Sequence, residues 1–143
     1  MIYDYFIASR WRNKEQVLEL SALIKEKGKT VYCFAEGNKS EFVLKNDEGM
    51  QPDEFMQKFE SIPDWQNDPN VWEVFDVDMN ALKAADCVLL LLPAGKSAHI
   101  EAGVAYGLGK KLVVIGEQKE SESLYLIFDE FYADIISFIE SLS

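Results

Sequence analysis

The segment Cys87-Val88-Leu89-Leu90-Leu91-Leu92 is an unbroken apolar run that Pro93 stops. It is far shorter than the roughly 20 residues a membrane helix needs. A strand with one wet face alternates apolar and polar residues, and this one does not. Both of its faces must therefore be buried, which places it at the centre of a parallel sheet with helices on either side. Ile2 to Ala8 is the second stretch apolar enough for a central strand.

The rest of the chain fits around these two strands. Asn13 to Lys27 reads as a helix, with Val17, Leu20 and Ile24 on one face and Leu23 at its margin. Asn13 and Gln16 have the spacing of a capping box, and Gly28 stops the helix. Thr30 to Phe34 is a second strand, and a strand, helix and strand with short links imply a right-handed parallel unit. Asp68-Pro69 opens a helix reaching Ala84, with Val71, Val74, Phe75, Asp78 and Leu82 on one side. Asp86 to Leu92 is the third strand, and Pro93 to Lys96 turns into a helix from Ala98 to Leu108. Its small residues Ala102, Gly103, Ala105 and Gly107 allow close packing, and Gly109 ends it. Lys111 to Ile115 is the fourth strand. Leu124 to Ile127 reads as the fifth, and Asp129 to Leu142 as a closing helix with Phe131, Ile135, Phe138, Ile139 and Leu142 inward. The expectation is one α/β domain over residues 1–143, a flavodoxin-like or Rossmann-like three-layer sandwich in strand order 2-1-3-4-5.

Ala35 to Gln66 resists this reading. It is polar and broken by Gly37, Gly49, Pro52 and Pro63, with Pro52 placed to open a short helix through Ile62. Its aromatic residues Phe42, Phe55, Phe59 and Trp65 must pack on something, so it is expected to be an ordered lid or binding loop.

Charge narrows the partners. The formal net charge is −11, and the 14 Lys and Arg form no basic stripe, which argues against nucleic acid and anionic membrane. An anionic small molecule needs only a local basic cluster. The two cysteines, Cys33 and Cys87, fall in expected strands, and with a single His they make no metal pattern. They read as free buried thiols, and no metal or cofactor is expected. The start at Met1 lacks the basic region of a secretory leader, so a reducing cytoplasm is the expected compartment.

In open parallel sheets, ligands collect beyond the carboxyl ends of the strands. The first strand delivers Ser9, Arg10, Trp11 and Arg12 there, and the third delivers Pro93 to Glu101. Hydroxyls, guanidiniums and the N–H groups of a helix start suit a phosphate, which makes Ser9, Arg10, Arg12 and Ser97 candidate contacts. Glu101 falls in the first turn of its expected helix, where the dipole favours an ionised carboxylate. Asp78 lies on the apolar side of its helix, where an unpaired carboxylate is costly unless it opens into a cleft.

Asp78 with Asn80-Ala81-Leu82-Lys83-Ala84-Ala85-Asp86, then Val88-Leu89-Leu90, then Glu101-Ala102-Gly103-Val104-Ala105-Tyr106-Gly107-Leu108-Gly109-Lys110-Lys111, resembles the nucleoside 2-deoxyribosyltransferase superfamily. That superfamily includes the deoxynucleoside 5′-monophosphate N-glycosidases. Tyr5-Phe6-Ile7-Ala8-Ser9 also resembles its first strand. The resemblance implies that Glu101 attacks the anomeric carbon, Asp78 binds the sugar hydroxyl or assists at the base, and Tyr5 orients the nucleophile. It implies a nucleoside or nucleotide substrate, no cofactor, and a homo-oligomer. Aromatic residues at 13%, Trp65 and Trp72 among them, add to the oligomer reading. The sequence departs from the pattern at Ser97-Ala98-His99-Ile100, where the family is rich in glycine. His99 replaces a small residue, and three roles fit it: narrowing the site, protonating a leaving base, or pointing away. Two other readings stay open, a non-catalytic nucleotide-binding module of the same fold and a TIR-like NAD glycohydrolase.

Overall fold

The apolar run forms β3 (Ala85–Leu91), hydrogen-bonded in the middle of the sheet. The structure is a computed structural model that describes residues 2–46 and 50–142; Gly49, one of the expected chain breakers, lies outside them. In chain order the elements are β1 (Tyr3–Ala8), α1 (Lys14–Glu26), β2 (Val31–Cys33), α2 (Phe34–Gly37), α3 (Glu41–Asn46), α4 (Pro52–Glu60) and α5 (Pro69–Lys83). After β3 come α6 (Lys96–Gly107), β4 (Lys111–Ile115), β5 (Glu130–Tyr132) and α7 (Ile135–Glu140). The five strands are parallel in the order β2-β1-β3-β4-β5. Phe6 lies beside Val88 and Ile7 beside Leu89, so the first and third strands are neighbours as expected.

Strand parity sorts the core into two layers. On the front face, Phe6, Ala8, Val88, Leu90, Leu112 and Val114 pack against Ala81 and Leu82 of α5 and Ala98, Ala102 and Ala105 of α6. On the back, Ile7, Leu89, Leu91, Val113 and Ile115 pack against Val17, Leu20 and Ile24 of α1 and Phe138 and Ile139 of α7. The alanines let α6 sit close to the sheet. Gly103 and Gly107 do not serve that end: both are exposed, and an added Cβ at either would meet nothing within 4 Å.

The C-terminal part corrects the sequence reading. Ser123–Ile127 is a 3-10 turn, and the fifth strand is Glu130–Tyr132, inside the stretch expected to be helical. A three-residue edge strand is too short to show a period, and the apolar spacing of its residues imitates a helix. The closing helix is six residues long, and Phe131 is left exposed. Its start is fixed by Asp134, whose carboxylate accepts from the Ser137 N–H at 2.8 Å while the Ser137 hydroxyl accepts from the Asp134 N–H at 3.3 Å. Asn13 makes no such cap. Its amide donates to Ser9 Oγ at 3.2 Å and to the Pro93 carbonyl at 3.5 Å, across the edge of the sheet. Phe75 is exposed on α5, edge-on to Trp72.

Among the described residues of the 35–66 stretch, Phe42, Phe55 and Phe59 pack as expected, whereas Trp65 is 57% exposed. Phe42, Val43 and Phe55 bury themselves with Trp11, and Phe34, Met56, Phe59 and Val74 pack around them. Pro52 does open a helix. Both cysteines are free and buried, and among the described residues no helix is long and apolar enough to cross a membrane.

Candidate functional site

Asp78 and Glu101 meet on the front face. Asp78 sits on α5 and points at β2, where its Oδ1 accepts the Tyr32 hydroxyl at 2.6 Å and the Asn38 amide at 3.0 Å. Glu101 sits in the second turn of α6, because that helix begins at Lys96 rather than Ala98. It is therefore further from the helix dipole than the sequence suggested. Among the described residues it forms no hydrogen bond and no ion pair. Burial, and then the charge of Asp78, push its carboxyl up to about 8. Both effects act against the dipole that was expected to keep Glu101 ionised, and both favour its protonated form. Burial also raises Asp78, with the bonds from Tyr32 and Asn38 acting in the opposite direction.

Tyr32 is the residue the sequence reading missed. It pairs with Phe6 and shares its face, 4% exposed, with the two rings stacked at 5.3 Å. Tyr3 meets it edge-on at 5.6 Å. Gly37 makes room for it, since a Cβ there would overlap the ring, 2.6 Å from Cδ2. Parity along β2 was the available signal for Tyr32; Asn38, in a polar stretch without period, gave none.

The other expected residues divide. Tyr5 is not brought to the carboxylates. Parity turns it to the back face, edge-on to Phe138 at 5.8 Å, so an orienting role for it has no geometry behind it. It lines a cavity of about 370 Å³ with Lys111, Glu130 and Tyr132, among others. Ser9 is spent on structure: its buried hydroxyl donates to the Leu91 carbonyl at 2.8 Å, tying the ends of β1 and β3. Trp11 is buried, stacked on Phe55 at 4.3 Å. Arg12 is neutralised by Asp53 at 2.6 Å and Glu60 at 3.0 Å. Arg10 and Ser97 remain exposed. Arg10 lies beside the α6 start, its Cβ 3.9 Å from where a Gly95 Cβ would be. His99 is held at both ring nitrogens, Nδ1 to the Gly95 carbonyl and Nε2 to the Tyr125 hydroxyl, each at 2.8 Å. A carbonyl only accepts, so Nδ1 carries a proton and donates to Gly95. His99 thus staples α6 to the turn at 123–127. Among the described residues no cluster of His, Cys, Asp and Glu could hold a metal ion.

A parallel α/β sheet in the order 2-1-3-4-5, with two half-buried carboxylates on neighbouring helices of one face, defines the class. Two solved structures share its fold. One is a 2-deoxyribosyltransferase from the psychrotolerant bacterium Bacillus psychrosaccharolyticus, with a TM-score of 0.62 and 17% identity over 94% of this chain and 89% of that one. The other is the CMP N-glycosidase of Clostridium botulinum, with a TM-score of 0.55 and 18% identity over 96% of each chain. The sequence resemblance therefore holds at the level of fold. No protein-family model matches the chain, and no curated protein matches it.

Proposed function

We propose that the protein cleaves or transfers the N-glycosidic bond of a nucleoside or nucleoside 5′-monophosphate. The observation that carries this reading is the pairing of Asp78 and Glu101, two half-buried carboxylates on one face with no cation among the described residues. Burying unpaired carboxylates is costly, and such pairs mark sites kept for chemistry. The two similar folds belong to a deoxyribosyltransferase and a nucleotide N-glycosidase, which supports the same bond class.

Glu101, once ionised, attacks the anomeric carbon as the base departs. A glycosyl ester forms, and water or a second base then releases the sugar. Asp78 holds a sugar hydroxyl and stabilises the cationic transition state more than the neutral ground state. The phosphate contacts contract to Arg10, Ser97 and the first N–H groups of α6, because Ser9 and Arg12 are committed elsewhere. The active form is at least a dimer, with the exposed Trp72 and Phe75 of α5 available to a partner; light scattering showing a monomer at assay concentration would remove that part.

The test is chromatographic detection of free base from a panel of ribo- and deoxyribonucleosides, their 5′-monophosphates and NAD, with and without an acceptor base. Release from nucleosides or monophosphates supports the reading. Nicotinamide release alone replaces it with NAD cleavage. Binding without release makes the protein a nucleotide-binding module.

A further inference from the structure

We propose that Tyr32 and Asn38 are positioning residues that decide which carboxylate of the pair is the anion: by donating together to Asp78 Oδ1 they hold the charge on Asp78 and leave the proton on Glu101. This rests on the function proposed above only for its catalytic consequence.

The geometry of the two donors is fixed independently of Asp78. The Asn38 side chain is 3% exposed, and its Oδ1 accepts from the Ser40 N–H at 3.1 Å. That bond sets the orientation of the amide, so its NH₂ must face the Val74 carbonyl at 3.3 Å and Asp78 at 3.0 Å. The Tyr32 ring is clamped between Phe6, Tyr3 and Gly37. Its hydroxyl has one proton, directed at Asp78 over 2.6 Å, the short length of a bond to a charged acceptor. Burial and the charges of Asp78 and Glu101 push the phenol far above its ordinary value, so it stays a donor.

Nothing equivalent serves Glu101. Among the described residues, the other ionisable groups on the elements packed around the pair are Tyr3, Asp4 and Tyr5 on β1, Glu41 and Lys45 on α3, Glu73 and Asp76 on α5, and His99 and Tyr106 on α6; Asp4 bonds Thr30, Tyr5 faces the back and Lys45 is exposed. The Glu73 carboxylate accepts from the Glu41 N–H, and both ring nitrogens of His99 are engaged. Asp76 and Tyr106 are exposed. Lys83 and Lys96 lie at exposed helix ends; Asp86 on β3 is exposed, and Lys111 on β4 is paired with Glu130. Among the described residues, no cation therefore competes with the two donors in dividing the charge. Carboxylates whose charges act on each other, as Asp78 does on Glu101, titrate as a unit, and the one with donors ionises first.

The consequence is that free protein at neutral pH has its nucleophile masked, and in the proposed step the Glu101 proton passes to the departing base as the C–N bond breaks and the carboxylate forms the ester C–O bond. The experiment is a ¹³C titration of the side-chain carboxyls in full-length protein, beside the pH profile of kcat/KM for base release. Wild-type Glu101 is expected to titrate near pH 8, after Asp78. In Tyr32→Phe the Glu101 midpoint should fall by about one unit or more as Asp78 competes for the proton. Asn38→Ala should shift it the same way by less, and it serves if Tyr32→Phe does not fold. A wild-type midpoint in the ordinary carboxylate range, or a midpoint unmoved in either folded variant, overturns the inference. If the resonances move as expected while no base is released from any substrate, the inference stands and the proposed function fails.

Discussion

The two faces of the sheet treat charge in opposite ways. On the back, Lys111 pairs with Glu130 at 2.7 Å, and the Tyr132 hydroxyl donates to the same carboxylate at 2.7 Å. That pair is near the surface, and it holds Glu130 below the ordinary carboxylate value. On the front, Asp78 and Glu101 are half-buried with no cation among the described residues, and both are raised. One face neutralises charge where it occurs. The other leaves two partly desolvated carboxylates unneutralised. The second pattern is the one the proposed chemistry requires.

The largest expected effect that would break this contrast is on turnover. Glu101→Gln keeps the shape and removes the nucleophile, so base release should fall by roughly three orders of magnitude or more, with ligand binding retained. An unchanged rate would mean that the fold resemblance extends to the site but not to its mechanism. Asp78→Asn should lower both rate and sugar affinity.

Stability against pH should separate the faces next. Folding raises Glu101 from 4.5 to about 8, so the folded protein binds the proton more tightly than the unfolded chain. Stability from this group is fully present below about pH 4.5 and is lost as pH rises towards 8. Glu101→Gln should remove that loss and leave the protein roughly 1–3 kcal/mol more stable than wild type at pH 8, measured by urea unfolding. A wild-type curve flat between pH 5 and pH 8 would show that the front carboxylates are not desolvated.

Gly37→Ala tests the support behind Tyr32. The new Cβ would overlap the ring, so the phenol must shift or the helix move, at roughly 1–3 kcal/mol. A fall in base release larger than the loss of folded protein explains would place the damage at Asp78. The smallest effects belong to the back. Lys111→Met should cost under about 1 kcal/mol, because the pair is solvent-exposed. Tyr5→Phe should leave base release unchanged; a large loss there would undo the assignment of chemistry to the front.

Much of this arrangement was legible before any coordinates. Apolar continuity in Cys87–Leu92 gave the sheet centre, and the order of strands and helices gave the topology. Asp78 was suspicious because its helix periodicity placed a carboxylate among apolar residues, and the structure puts it beside Tyr32. What failed was what periodicity does not encode. The role of Tyr5 was carried over from a resemblance, while strand parity turns the ring to the other face. Ser9 and Arg12 were read by chemical type, but their partners Leu91, Asp53 and Glu60 lie more than 40 positions away. Short edge elements such as β5 give too few residues for any pattern to emerge.

The stacking of Trp11 on Phe55 gives the molecule a built-in optical reporter. Its indole is 8% exposed, whereas Trp65 and Trp72 are 57% and 54% exposed. Aqueous quenchers reach the latter two first, leaving emission dominated by the ring that bridges the loop after β1 to α4. Changes in that residual signal register whether α4 stays seated on the sheet edge, without any label added to the chain.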